Sequence, residues 1–273
     1  MTAVSEGAAV ARRAKRSDAL RLLARVGFVG FGVTHLLVAW LALQIAYGAP
    51  PQDGDQYGAF RILADRPFGR WVLIVVGVGL VALAVWQSLD AAVGHTRDNG
   101  RERTVERIVS AGRAAFYFYL GYEIYKVVSA KPKTGAEQKE HTAASILAKP
   151  GGQLMVALIG LGIVAVSLGL LWYGVVRRFE KHLRIGEMSA TVRRVVRRLG
   201  VAGYLAKAVA YGTVGVLVIG TALTFDPDKS RGLDAALEHL AREPSGRLAL
   251  AIVAAGIAAY GVFSIAQARY REV

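Results

Sequence analysis

The sequence predicts an all-α fold: a six-helix transmembrane bundle made of three tandem helical hairpins in pseudo-threefold arrangement. Three observations predict it. The first is that apolar residues are bunched. The 273-residue chain is 54% hydrophobic with a mean hydropathy of +0.37, and residues 71–89, 154–176 and 248–268 carry no charge. Runs of about 18 uncharged residues match the hydrocarbon thickness of a bilayer at the rise of an α-helix. The second is a threefold repeat. Leu63-Ala64-Asp65-Arg66-Pro67-Phe68-Gly69 returns as Leu147-Ala148-Lys149-Pro150-Gly151-Gly152 and as Leu240-Ala241-Arg242-Glu243-Pro244-Ser245-Gly246. Each copy ends in Pro-x-Gly and opens a long apolar segment, the proline standing where the next helix is expected to start, since its missing N–H costs nothing there. The third is spacing. Gly27, Gly112 and Gly203 precede Pro67, Pro150 and Pro244 by 40, 38 and 41 residues. Repeats of that order and period mark a unit written three times.

The elements follow in order. Residues 1–16 are Ala-rich and basic, without apolar periodicity, and are expected to form a disordered cytoplasmic tail. Ser17 and Asp18 can cap the first helix, because a short oxygen-bearing side chain satisfies free backbone N–H groups. Pro50-Pro51 ends it. Six spans are expected near 22–47, 70–92, 107–129, 153–177, 202–224 and 247–269, grouped as hairpins over 17–94, 104–178 and 189–271. Before each repeated Pro lies a short Ala/Leu segment (57–63, 141–147 and 233–240) that suits an interfacial helix in the outer loop. Each second span carries a pair of small residues, Gly77 and Gly79, Gly160 and Gly162, Ala254 and Gly256. Small residues at a fixed depth let helix backbones approach in lipid.

Charge sets the orientation. The formal net charge of +14 would suggest nucleic acid in a soluble protein, but here the excess reads as topological. Of the Lys and Arg residues, 21 fall on the side of the termini and of the loops after the second and fourth spans, against 12 on the other side. Both termini are therefore expected in the cytoplasm, with the protein multi-pass in the plasma membrane. Val192, Val195, Val196 and Leu199 face one way and Arg193, Arg194, Arg197 and Arg198 the other. This basic amphipathic stretch is a candidate for anionic lipid, or a cytoplasmic extension of the fifth span.

The Ala24-Arg25-Val26-Gly27 start, the Leu-Ala-x-x-Pro-x-Gly segment and the Gly-x-Gly second helix resemble the bacterial domain-of-unknown-function family built from three tandem two-helix transmembrane repeats. The resemblance covers roughly residues 20–270. It implies an integral membrane protein, and no activity, cofactor or catalytic residue. The second repeat departs most: it is one residue shorter before Pro150 and has Gln153 where the others have Arg70 and Arg247.

An ionisable residue inside a span is costly and is a functional candidate by default. His35 lies in the first span, Glu123 in the third and Lys207 in the fifth, and Tyr211 stands at the level of His35. With equal repeat depths, Glu123 lies about 4.5 Å along the membrane normal from that level. A His35–Glu123–Tyr211 cluster at the pseudo-threefold centre could relay protons or hold a polar ligand. The plainer readings are a packed His35, a snorkelling Lys207, and a Glu123 that pairs with Lys126 one turn on.

Other chemistry is argued against. The chain has no cysteine, which excludes disulfides, iron–sulfur clusters and thiol catalysis. Only His35 among the histidines is intramembrane, which disfavours haem. Neither a zinc-helix spacing, nor a phosphate-binding Gly loop, nor a nucleophile elbow is present. No metal, cofactor or catalytic residue is expected, and the protein is not expected to be an enzyme. The leading expectation is a structural or accessory subunit that packs against other membrane components, with lipids and a protein partner or second copy as partners and no nucleic acid. The alternatives are a small transporter or proton- or ion-conducting protein using Glu123, His35 and Tyr211, and anionic-lipid binding.

Overall fold

The computed structural model describes residues 18–47, 56–94, 100–129, 135–224 and 246–271. The calls on tail 1–16 and outer helix 233–240 lie outside them. Long helices are α1 (Asp18–Ala46), α3 (Gly69–Val93), α4 (Gly100–Val128), α6 (Gly152–Val175), α7 (Ala190–Thr224) and α8 (Gly246–Tyr270). Shorter helices α2 (Gln56–Ala64) and α5 (Gly135–Leu147) precede α3 and α6. No strand occurs among the described residues. Five helices, α1, α3, α6, α7 and α8, are long and apolar enough to cross a membrane. The third expected span, α4, is as long as α1 but too charged to qualify by composition, since Glu106, Arg113, Glu123 and Lys126 lie along it.

The helices pack as α4 on α3, α3 on α1, α1 on α8, α8 on α7 and α7 on α6. This is a ring in chain order with one seam left: α4 and α6, the two helices of the second repeat, scarcely touch. The expectation of three closed hairpins is therefore corrected for the second repeat. The paired small residues explain the rest. In each pair, the first residue meets the following repeat. Gly77 lies against Ile124 of α4, Gly160 against Gly215 and Ile219 of α7, and Ala254 is buried with Ala42 and Ile45 of α1. The second residue meets its own repeat. A Cβ on Gly27 would stand 2.2 Å from the Gly79 carbonyl oxygen, and one on Gly256 would stand 2.3 Å from the Ala206 Cβ. In the second repeat the corresponding Gly112 and Gly162 meet nothing within 4 Å.

The Pro-x-Gly segment forms the same turn twice. Phe68 (φ 62°) and Gly151 (φ 75°) are left-handed, and Gly69 and Gly152 donate their N–H to the carbonyls of Arg66 and Lys149 at 2.8 and 2.9 Å. The final glycine is needed because a Cβ there would run into the Leu63 or Ile146 carbonyl, 1.6 and 1.9 Å away. The expected helix start at proline is thus shifted: α3 and α6 begin two residues later. Arg70 then reaches across to the Val128 carbonyl at the end of α4, at 3.0 Å, a bond that Gln153 does not replicate among the described residues.

At the opposite, basic end, residues 176–189 fasten three helices together. Glu180 accepts two bonds from Arg197 of α7 (2.7 and 3.1 Å), and Lys181 pairs with Glu102 of α4 at 2.8 Å. The Arg184 N–H donates to the Tyr270 carbonyl of α8 at 2.7 Å, and Phe179 is buried against Tyr204 and Phe263. The basic stretch 193–198 is continuous with the rest of helix α7.

Candidate functional site

The ring interior is aromatic and cationic. On α1, Phe31 and His35 stand one turn apart. His35 is buried, and its Nδ1–H donates to the Phe31 carbonyl at 2.8 Å; a carbonyl only accepts, so Nδ1 carries the proton and Nε2 is left as an acceptor. Tyr260 of α8 lies beside it, ring centroids 4.8 Å apart, and Phe31 packs edge-on to His35 at 4.3 Å and to Tyr117 of α4 at 5.1 Å.

Helix α7 presents Tyr204, Lys207 and Tyr211 at i, i+3 and i+7, one face of a helix. The Lys207 ammonium sits 4.1 Å from the Tyr260 ring centroid, 5.3 Å from Phe31 and 5.7 Å from Tyr211. That is an aromatic cage, in which the negative faces of the rings attract the cation. Lys207 is 9% exposed and does not snorkel to an end of the bundle as the plainer sequence reading has it. Tyr260 leads on to Tyr204 (5.3 Å) and Tyr204 to Tyr173 of α6 (5.0 Å), over whose ring Arg113 of α4 lies at 5.6 Å. Arg271, at the end of α8, stacks over Phe28 and Trp86 and donates to Gln267.

Of the residues singled out in sequence, His35, Lys207 and Tyr211 come together in this cage. Glu123 does not join them: it is buried and pairs with Lys126 at 2.8 Å. Tyr260, Phe31, Arg113 and Tyr204 were not singled out, and Tyr173 reads in sequence as an interfacial anchor near a span end. Arg113 reads as a loop charge by its place near the end of a span, and Tyr260 is a lone tyrosine in an apolar run. The available signal was the cross-repeat alignment of Phe31, Phe116 and Lys207, each four residues after its repeat's marker glycine. Among the described residues no three His, Asp or Glu side chains gather as a metal site. Arg193, Arg194 and Arg198 are exposed, while Arg197 is engaged by Glu180.

The model of the family described as Domain of Unknown Function (DUF1206) matches three tandem segments, residues 26–94, 108–177 and 202–271. The chain belongs to this family. Each matched DUF1206 segment corresponds to one helix pair of the ring: α1 and α3, α4 and α6, α7 and α8. A relative in Bacillus subtilis (strain 168), "Uncharacterized protein YxxB", is 31% identical over 257 residues, covering 93% of this chain and 92% of that protein. No solved structure matches. The family match establishes three tandem units along the chain and assigns none of them an activity.

Proposed function

We propose that this DUF1206 protein is a six-span protein of the plasma membrane, both termini cytoplasmic, that works as a non-enzymatic accessory subunit and receives a partner's transmembrane helix in the seam between α4 and α6. One observation carries the reading. Gly112 and Gly162 sit at the positions where Gly27, Gly79 and Gly256 admit a neighbouring helix, yet nothing fills the space beside them. Small-residue faces are the usual contact surface between helices in lipid, where dispersion and close backbone approach drive association. Helix α6 adds to this support. It packs through one narrow stripe on α7, and Leu158, Leu161, Leu168 and Trp172 stand exposed around the rest of it. The transport alternative has weaker support, because Glu123 is spent on Lys126. Anionic lipid at Arg193, Arg194 and Arg198 is compatible with either role.

The chain has no cysteine, so the seam can be probed with single thiols. In native membranes, Gly112→Cys or Gly162→Cys carrying a photoreactive maleimide is expected to yield one discrete protein adduct, either with another membrane protein or with a second copy. Efficient disulfide formation within the Gly112→Cys/Gly162→Cys double variant would mean that the seam closes on itself, and this reading would then be lost.

A further inference from the structure

We propose that the ring interior contains a binding site for an oxyanion, a carboxylate or a phosphate, held between Lys207 and Arg113 and walled by Tyr260, Tyr211 and Tyr173. The site does not rest on the partner-helix reading.

Charge is the first observation. Lys207 and Arg113 stand inside the ring and Arg271 at its basic end, and none of them forms an ion pair with a carboxylate among the described residues. Buried charges are ordinarily paired, because desolvation costs several kcal/mol per ion. Glu123 is committed to Lys126. Glu106 lies two turns from Arg113 on α4, about 10 Å along the axis, beyond contact distance.

Donors are the second observation. An ammonium has three N–H groups and a guanidinium five; Tyr173 takes a bond from Arg113 and Gln267 one from Arg271, which leaves most of these donors unfilled. The rings around Lys207 offer π faces, which attract the charge but do not accept hydrogen bonds as lone pairs do. His35 does not compete for an anion, since its Nδ1–H is held by the Phe31 carbonyl. Arg113 and Lys207 border one continuous series of rings (Tyr173, Tyr204, Tyr260) and lie near enough for the two charges to repel each other, a repulsion that an anion between them would relieve.

The third observation is unmet polarity nearby. Gln87 is fully buried with neither amide atom hydrogen-bonded, and the Nε of Arg271, which stacks over the neighbouring Trp86, is likewise buried without a partner. Buried polar groups are nearly always satisfied. An interior that leaves these groups unmet, and Lys207, Arg113 and Arg271 without a carboxylate among the described residues, suits a polar, anionic occupant. A free small oxyanion and the headgroup of an anionic lipid share this chemistry, and the open α4–α6 seam gives an amphiphile a lateral approach.

The test uses the full chain in nanodiscs of zwitterionic lipid. One arm adds palmitate or phosphatidylglycerol and counts retained molecules by native mass spectrometry. The other adds inorganic phosphate or acetate and reads the melting temperature. A saturable response in the first arm identifies a lipid source, and in the second a free ion. In the responding arm, Lys207→Met and Arg113→Gln are expected to weaken binding at least tenfold, Lys207→Arg less, and the exposed Arg66→Gln not at all. Arg113 is only partly buried, so Arg113→Gln decides the matter where Lys207→Met fails to fold. No saturable response in either arm, or a response that Arg113→Gln leaves unchanged, overturns the site.

Discussion

Glycine is where a single residue decides most in this molecule. Gly27 admits the backbone of α3 at a distance no side chain allows, whereas Gly162, which corresponds to its contact partner Gly79, faces open space. Gly27→Ala is expected to destabilise the purified protein by about 1–3 kcal/mol, because the obstacle is backbone and cannot yield as a flexible side chain would. Gly162→Ala is expected to be neutral or to stabilise by up to about 1 kcal/mol, the ordinary helical preference for alanine. Thermal unfolding in one detergent separates the two, and a destabilising Gly162→Ala would mean that the seam is closed in solution. The spacing of these glycines was legible in sequence because helical packing needs small residues at fixed depth. Their occupancy was not, because it depends on which helix arrives. The interior cage was half legible for a related reason. His35, Lys207 and Tyr211 stand out as polar groups in apolar runs, while Phe31 and Tyr260 look like ordinary core until the ring brings them to Lys207. Depth alone also placed Glu123 with His35, but a lysine one turn away on the same helix is a nearer partner than a histidine on another.

At the scale of the element, the segment between α6 and α7 is what closes the second repeat at one end. Its contacts run to α4, α7 and α8, and the Glu102–Lys181 pair is the link that crosses the seam. The hydrogen bond and charge of Lys181 hold the Glu102 carboxylate below its ordinary value of 4.5. A carboxylate depressed in the folded state contributes above its unfolded value and loses that contribution as pH falls through the lower folded one. The link is therefore expected to be intact at pH 4.5 and to loosen below it, and both side chains are exposed enough that salt weakens it as well. Limited pepsin digestion at Phe179 reads this. At pH 4.5 Glu102→Gln should be cut faster than wild type, and at pH 2 the two should be alike; equal rates at both values would show that the pair does not hold the segment. Nothing in the sequence announced this clasp, because Glu102 and Lys181 are 79 residues apart and each looks like a solvated loop charge. The Pro-x-Gly turns were announced by repetition, though their mechanism was misassigned: the proline sits inside the turn, and the helix starts only after a left-handed residue and a glycine that backs onto a carbonyl.

For the whole molecule, the open question of architecture is whether α4 crosses the bilayer. Five helices qualify on composition, and α4 does not. Yet α4 packs along α3 through Gly77, Val81, Gly121 and Ile124, contacts that run antiparallel along both helices and place its two ends at opposite ends of the bundle. Two of its charges are also paired with each other, Glu123 with Lys126, which lowers the cost of burial in lipid. Six crossings are therefore expected, with the basic end cytoplasmic by the distribution of Lys and Arg. Because the chain lacks cysteine, single thiols at exposed positions decide the matter in intact cells treated with an impermeant maleimide. Arg66→Cys, between α2 and α3, and Ser145→Cys, on α5, are expected to react, and Glu187→Cys to react only after permeabilisation. If α4 lay outside the bilayer, every later element would change sides: Ser145→Cys would be silent and Glu187→Cys would react, with Arg66→Cys unchanged. An inverted six-span protein would silence the first two and expose the third. Each arrangement therefore leaves its own pattern across three sites, and only reaction at 66 and 145 without 187 supports a ring whose open seam faces the lipid and a partner within it.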